Sequence, residues 1–135
     1  MIAKLGYASA LAAFALVASA TAPADAANFA GTWAVSGTLL GGGVVVATSA
    51  PVCVFRQSGN AISGSCKGPN GIGSADGLVN GRAIAWRWHI IATTSSGLAG
   101  TATYRGVWGS DGVVRGTWTH SRRPGASGPF TAQHL

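Results

Sequence analysis

The stretch Arg82 to Ile91, Arg-Ala-Ile-Ala-Trp-Arg-Trp-His-Ile-Ile, restricts the folds open to this chain more than any other segment. It alternates. In an extended strand Ile84, Trp86, Trp88 and Ile90 share one face, and Ala83, Ala85, Arg87 and His89 share the other. Slipping the register by one residue would bury Arg87 and His89 and expose two indoles. An unpaired buried charge costs several kcal/mol, so Trp86 and Trp88 are expected inside and Arg87 and His89 outside. The preceding segment, Gly73 to Val79, is small and glycine-rich. Asn80-Gly81 joins the two, and Asn-Gly is a strong hairpin signal because both turn positions must tolerate positive φ. With Asn80-Gly81 as the loop, Val79 faces Arg82, Gly77 faces Ile84, Ala75 faces Trp86 and Gly73 faces Trp88. Large rings opposite tiny residues predict an aromatic wall lining a small β-barrel.

Similar strand signals recur along the chain between Gly, Asn, Asp, Ser and Pro clusters. The expected strands are Phe29 to Leu39, Val44 to Ala47, Val52 to Gln57 and Ala61 to Lys67, then the hairpin above. Leu98 to Trp108, Val113 to His120 and Phe130 to His134 follow. Pro51 cannot donate to a sheet ladder, so Ser49-Ala50-Pro51 breaks or bends the second strand. Residues 28–135 show no helical periodicity. Eight or nine short antiparallel strands with short connections predict an all-β fold, an eight-stranded up-and-down barrel that leaves no open edge. A two-sheet sandwich is the competing arrangement. The 21 glycines suit sharply curved strands, because tryptophans and valines punctuate them.

Residues 1–27 read differently. Lys4 supplies a positive charge, Leu5 to Val17 is apolar, and small residues follow. This is the order of a secretory signal peptide. Ala18-Ser19-Ala20 and Ala24-Asp25-Ala26 are the two cleavage motifs on offer, and the second leaves residues 28–135 as one domain. The apolar run is short for a membrane span, and no other segment is long enough. A secreted or periplasmic location is therefore expected. An exported chain with two cysteines is expected to oxidise them. With Gly59-Asn60 as a hairpin loop, Ser58 faces Ala61 and the pairing runs out to Cys53 facing Cys66, on a non-hydrogen-bonded pair where side chains lie closest. Such a short loop contributes about 3 kcal/mol in the chain-entropy model.

Charge narrows the partners. The net charge is +6 and there is no Glu. Anionic surfaces attract such a chain without specificity, while export argues against nucleic acid. Catalytic signatures are lacking. No phosphate loop, dinucleotide fingerprint or nucleophile elbow occurs, and the mature segment has two carboxylates, Asp76 and Asp111. Asp76 is placed opposite Ala85 with Arg87 on the diagonal, which makes an exposed ion pair, and Asp111-Gly112 is turn chemistry. His89, His120 and His134 are scattered and no Cys-x-x-Cys is present, so neither a metal site nor a cofactor is expected. The chain reads as a non-enzymatic binder.

The candidate ligand-binding residues are Trp33, Trp86, Trp88, Trp108 and Trp118. Indoles fill cores, and they also line pocket mouths and stack on flat or apolar ligands. Arg87, Arg105, Arg115, Arg122 and Arg123 are candidates for a basic rim. Two readings stand. The first is a small barrel binding an apolar or aromatic molecule in a tryptophan-lined pocket. The second is a secreted or periplasmic protein-binding module, such as a hydrolase inhibitor, acting through loops like Arg122 to Gly128. An open interior of more than ~300 Å³ favours the first and a packed one the second.

Phe29-Ala30-Gly31-Thr32-Trp33 resembles the opening G-x-W of calycin barrels, the lipocalins and avidins. Gly59 to Ser65, Ile84 to Trp88 and Gly116 to Ser121 are similar to later avidin strands in order and spacing. The resemblance implies an eight-stranded barrel with a pocket at one end. It does not carry a biotin site. Where avidins place a Tyr on the third strand this chain has Ser65 or Cys66, after the first Trp it has Ala34-Val35-Ser36, and Phe130 to Leu135 lacks the last-strand Asp. In lipocalins a basic residue of the last strand packs near the first Trp; here the one candidate is His134.

Overall fold

The computed structural model describes residues 28–135, so the signal-peptide reading lies outside the described residues. Nine strand segments follow one another: β1 (Gly31–Gly41), β2 (Val44–Ser49), β3 (Val52–Ser58), β4 (Ala61–Gly68), β5 (Gly71–Asn80), β6 (Ala83–Ala92), β7 (Gly100–Trp108), β8 (Val113–His120) and β9 (Gly128–His134). All pairings are antiparallel, and β1 also pairs with β9, which closes the sheet. β2 and β3 are two lengths of one stave. β3 pairs with the first half of β1, Gly31↔Phe55 to Ala34↔Val52, and β2 with the second half, Gly37↔Ser49 to Gly41↔Val44. Ala50-Pro51 interrupts the stave because Pro51 has no N–H for the ladder, and the Pro51 carbonyl accepts from Val35 N at 2.9 Å. The barrel is therefore eight-stranded, as the alternation and turn spacing predict.

Inward positions follow the period of two. Trp86, Trp88, Tyr104, Trp118 and Phe130 are buried, while Arg87, His89, Arg105 and Arg115 lie outside. Cys53 faces Cys66 with a Cα separation of 4.0 Å, and the two are disulfide-bonded inside the barrel wall. The predicted register there is the observed one, with Ser58 opposite Ala61.

The register of the β5–β6 hairpin is not the one predicted. Asn80 pairs with Ala83, so Gly81-Arg82 is the turn, with Gly81 at φ 61°. Gly77 faces Trp86, Ala75 faces Trp88 and Val79 faces Ile84, a shift of two residues. A shift of two leaves every side chain on its own face, so the alternation does not discriminate between the registers. Contacts beyond the hairpin do. Arg82 is held out of the ladder by Trp108, whose N donates to Arg82 O at 2.9 Å and whose O accepts from Arg82 Nη1 at 2.8 Å. Gly77 then meets the largest ring, and a Cβ there would lie 2.7 Å from Trp86 Cβ. The same shift sets Asp76 directly opposite Arg87, not diagonal to it. Asp76 lies 3.7 Å from Arg87 and 3.2 Å from His89 on the outer wall.

One end of the barrel is closed. The turns at 59–60, 81–82 and 109–112 lie there, and Phe29 crosses it. Phe29 N donates to Gln57 Oε1 at 2.6 Å, and its ring stacks on Trp33 at 4.2 Å. The Trp33 indole N–H donates to Phe29 O at 3.0 Å, so this buried polar group is satisfied. Trp108 and His134 approach Trp33 edge-on at 5.2 and 5.0 Å. His134 thus takes the place by the first tryptophan that the resemblance implied.

Candidate functional site

From the closed end an aromatic column runs up the barrel axis. Phe29 touches Trp86 at 5.7 Å, Trp86 stacks on Tyr104 at 4.8 Å, and Tyr104 stacks on Trp118 at 5.6 Å. Phe130 closes the side of this column against both Trp86 and Tyr104. Cross-strand geometry places these rings: Trp86 faces Tyr104 between β6 and β7, and Tyr104 faces Trp118 between β7 and β8. Stacked and edge-on pairs of this kind add about 0.5–1.5 kcal/mol each beyond area burial.

Above Trp118 the packing stops. A cavity of about 420 Å³ occupies the other end of the barrel. Trp88, Ile90, Leu98, Trp118 and Ala47 form its apolar surface, and Ser49 and His120 its buried polar surface. Its rim is the β4–β5 turn at Pro69-Asn70, the loop Ser95 to Gly97, Thr48 of β2, and Arg123. Two wider, shallow hollows, of about 490 and 610 Å³, lie on the outer face around Asp76 among Ser63, Leu78, Ala85 and Arg105.

The five tryptophans singled out in the sequence divide between the packed part and the cavity. Trp33 and Trp108 sit at the closed end, Trp86 is in the column, and Trp88 and Trp118 line the cavity. Of the five arginines considered for a rim, Arg123 is at the mouth. Arg87, Arg105 and Arg115 project from the outer wall, since they alternate with inward residues of β6, β7 and β8. Arg115 pairs with Asp111 at 2.7 Å, which holds the Asp111 carboxyl down at about 2, chiefly through that hydrogen bond. Arg122 is exposed in the β8–β9 loop, beside the mouth.

Three residues of the site carried no sequence signal. Ser49 Oγ and Tyr104 Oη lie 2.6 Å apart, linking β2 to β7 across the cavity floor. Tyr104 is fully buried, and desolvation pushes its hydroxyl up to about 12, partly offset by the Ser49 hydrogen bond. It stays a neutral phenol. His120 accepts from Arg122 N at Nδ1 (3.0 Å), so its Nε2 carries the proton and donates to Leu98 O at 3.1 Å. Burial lowers the His120 pKa and the charges of Arg123 and Arg122 lower it further, against the Leu98 bond that raises it. Both ring nitrogens are thus occupied in holding the loops together. A lone Ser before Ala-Pro, a Tyr on a strand and a His at a strand end are ordinary residues, and only the closed barrel brings them to one place.

Three buried indole nitrogens, those of Trp86, Trp88 and Trp118, have no hydrogen-bond partner among the described residues. Two of these rings line the cavity. The Trp118 nitrogen sits on the inner side of β1 at Gly37, where a Cβ would come within 2.7 Å of it. Gly37 is also the cross-strand partner of Ser49. The Trp118 nitrogen is thus packed against the β1 backbone at Gly37, across the β1–β2 ladder from Ser49.

No protein-family model matches this sequence, and no curated protein matches it at a significant level. The closed eight-stranded antiparallel barrel agrees with the architecture that the calycin resemblance implied.

Proposed function

We propose that this protein is an exported, non-enzymatic β-barrel that binds a small apolar or aromatic molecule in the cavity at its open end, against Trp88 and Trp118. The observation that carries this reading is the unequal filling of the barrel. An aromatic column packs the lower part, and a cavity of about 420 Å³, within the size range of small-molecule sites, occupies the upper part. Trp88, Trp118, Ile90 and Leu98 supply its apolar surface, and the larger share of its surface is polar, from groups such as Ser49, Asn70, His120 and Arg123. The loop-binding inhibitor was expected to have a filled interior, and the cavity favours the small-molecule reading over it. The buried disulfide supports an oxidising, non-cytoplasmic location.

The test is quenching of tryptophan emission during titration with an aromatic hydrocarbon such as isopropylnaphthalene. Saturable quenching that Trp88→Ala abolishes is the expected outcome. Absence of saturable quenching up to the solubility limit, or quenching indifferent to Trp88→Ala, overturns the proposal. Export has its own readout: expressed with its own N-terminus in a bacterial host, the chain should leave the cytoplasm shortened by roughly 20 to 27 residues. Full-length protein in the membrane fraction would contradict it.

A further inference from the structure

Charge is distributed unevenly along the barrel axis. The described residues hold two side-chain carboxylates, and both are paired away from the cavity. Asp76 lies on the outer wall against Arg87 and His89, and Asp111 lies at the closed end, bonded to Arg115. At the open end the charged side chains are cations. Lys67 directly precedes Gly68 of the rim, and Arg122 and Arg123 stand in the β8–β9 loop. None of the three has an ion-pair partner among the described residues. Arg123 is the one charged side chain that lines the cavity, and no acid lines it. Its Nη1 donates to Arg122 O at 3.0 Å. A guanidinium has five N–H donors in a planar fork, so donors remain for a second acceptor.

Resting on the pocket reading above, we propose that the ligand is an aromatic acid, with its ring inside against Trp88 and Trp118 and its carboxylate at the mouth on Arg123. The two parts of such a molecule match the two zones of the site. The rings and Ile90 lie within, and Arg123 stands at the rim with the neutral polar residues Asn70, Ser95 and Ser96. At the rim a carboxylate keeps part of its hydration, so it escapes the cost of full burial. Guanidinium and carboxylate join through charge-assisted hydrogen bonds, which are stronger than neutral ones. A cation of the same shape meets like charge with no counter-charge, and a neutral molecule gains ring contact alone. The net charge of +6 attracts anions to the whole surface, whereas Arg123 couples that attraction to an aromatic cavity.

Three probes of nearly one shape separate these cases: naphthoate, naphthamide and naphthylmethylamine, each titrated against the oxidised protein at neutral pH and low salt by calorimetry and tryptophan quenching. Naphthoate should bind about fivefold more tightly than naphthamide, the size of effect expected of a partly exposed ion pair, and the amine most weakly. Added sodium chloride screens exposed charges, so it should shrink that gap and leave naphthamide binding unchanged. Arg123 is exposed in a loop, so its variants should fold. Arg123→Gln should lower naphthoate to the affinity of naphthamide without weakening naphthamide, and Arg123→Lys should keep most of the gap. Arg87→Gln removes the same net charge from the outer wall and should leave the gap in place. Equal binding of naphthoate and naphthamide, a gap that survives Arg123→Gln, or one that Arg87→Gln lowers as much, overturns the anion assignment and leaves the pocket reading standing. Failure of all three probes to bind overturns both.

Discussion

At the closed end of the barrel, Phe29 lies over Trp33, Trp108 and His134 stand edge-on to it, and the Trp33 N–H is spent on the Phe29 carbonyl. At the open end Trp88 and Trp118 are buried but border the cavity, and their N–H groups, like that of Trp86 in the packed column, have no partner among the described residues. The same residue type packs among other rings at one end and borders an open volume at the other. What differs is a chain segment. Residues preceding β1 fold back across the closed end, tied by Phe29 N to Gln57, whereas at the other end the loops 93–99 and 121–127 pack around His120 at the side of the mouth.

The largest expected effect comes from the closed end. Trp33→Ala deletes a fully buried ring with several aromatic neighbours and should cost about 3–5 kcal/mol in urea unfolding. Trp88→Ala opens onto space that already exists, so its loss should be less than half as large while ligand quenching disappears. Equal losses at the two sites would erase the distinction between the ends.

Reduction of Cys53–Cys66 comes next. The bond closes a short hairpin near the middle of the wall, and its loss should lower stability by about 3 kcal/mol. An unchanged urea midpoint after complete reduction would show that the hairpin holds its register without it.

His120 sharpens the comparison through pH. Its folded-state pKa lies below the ordinary value of 6.5, so the unfolded chain binds the proton more readily. Its contribution to stability is full above that value and declines as pH falls below it. Protonation also removes the acceptor at Nδ1 that holds Arg122 N. Stability measured from pH 8 down to pH 5 should therefore fall more in the native protein than in His120→Asn, and ligand affinity should fall with it. Parallel profiles would remove His120 from the open-end architecture.

The smallest effects belong to the outer wall. Asp76 pairs with Arg87 and His89 in solvent, where such pairs contribute about 0.2–1 kcal/mol. Arg87→Ala should shift the unfolding midpoint barely, and Asp76→Asn slightly more, neither touching the cavity. A loss above about 2 kcal/mol for Arg87→Ala would mean that the wall is not the passive outer face described.

Alternation in Arg82 to Ile91, the Gly59-Asn60 turn and the Cys53–Cys66 spacing were enough to establish an all-β barrel, the inward tryptophans and the disulfide register. These depend on period and turn chemistry, which are local. Local information stopped at the β5–β6 register, because two registers two residues apart bury the same faces and only Trp108, holding Arg82 from another hairpin, separates them. It stopped again at the site. Nothing near Ser49, Tyr104 or Trp118 in the chain announces that they meet, since 55 residues separate the first two. Closure of β1 on β9 brings Gly37 to the floor beside them, and the placement of Phe29 decides which end of the barrel is filled. Which faces are buried is a property of each strand alone, whereas which buried groups lack a partner depends on every strand at once.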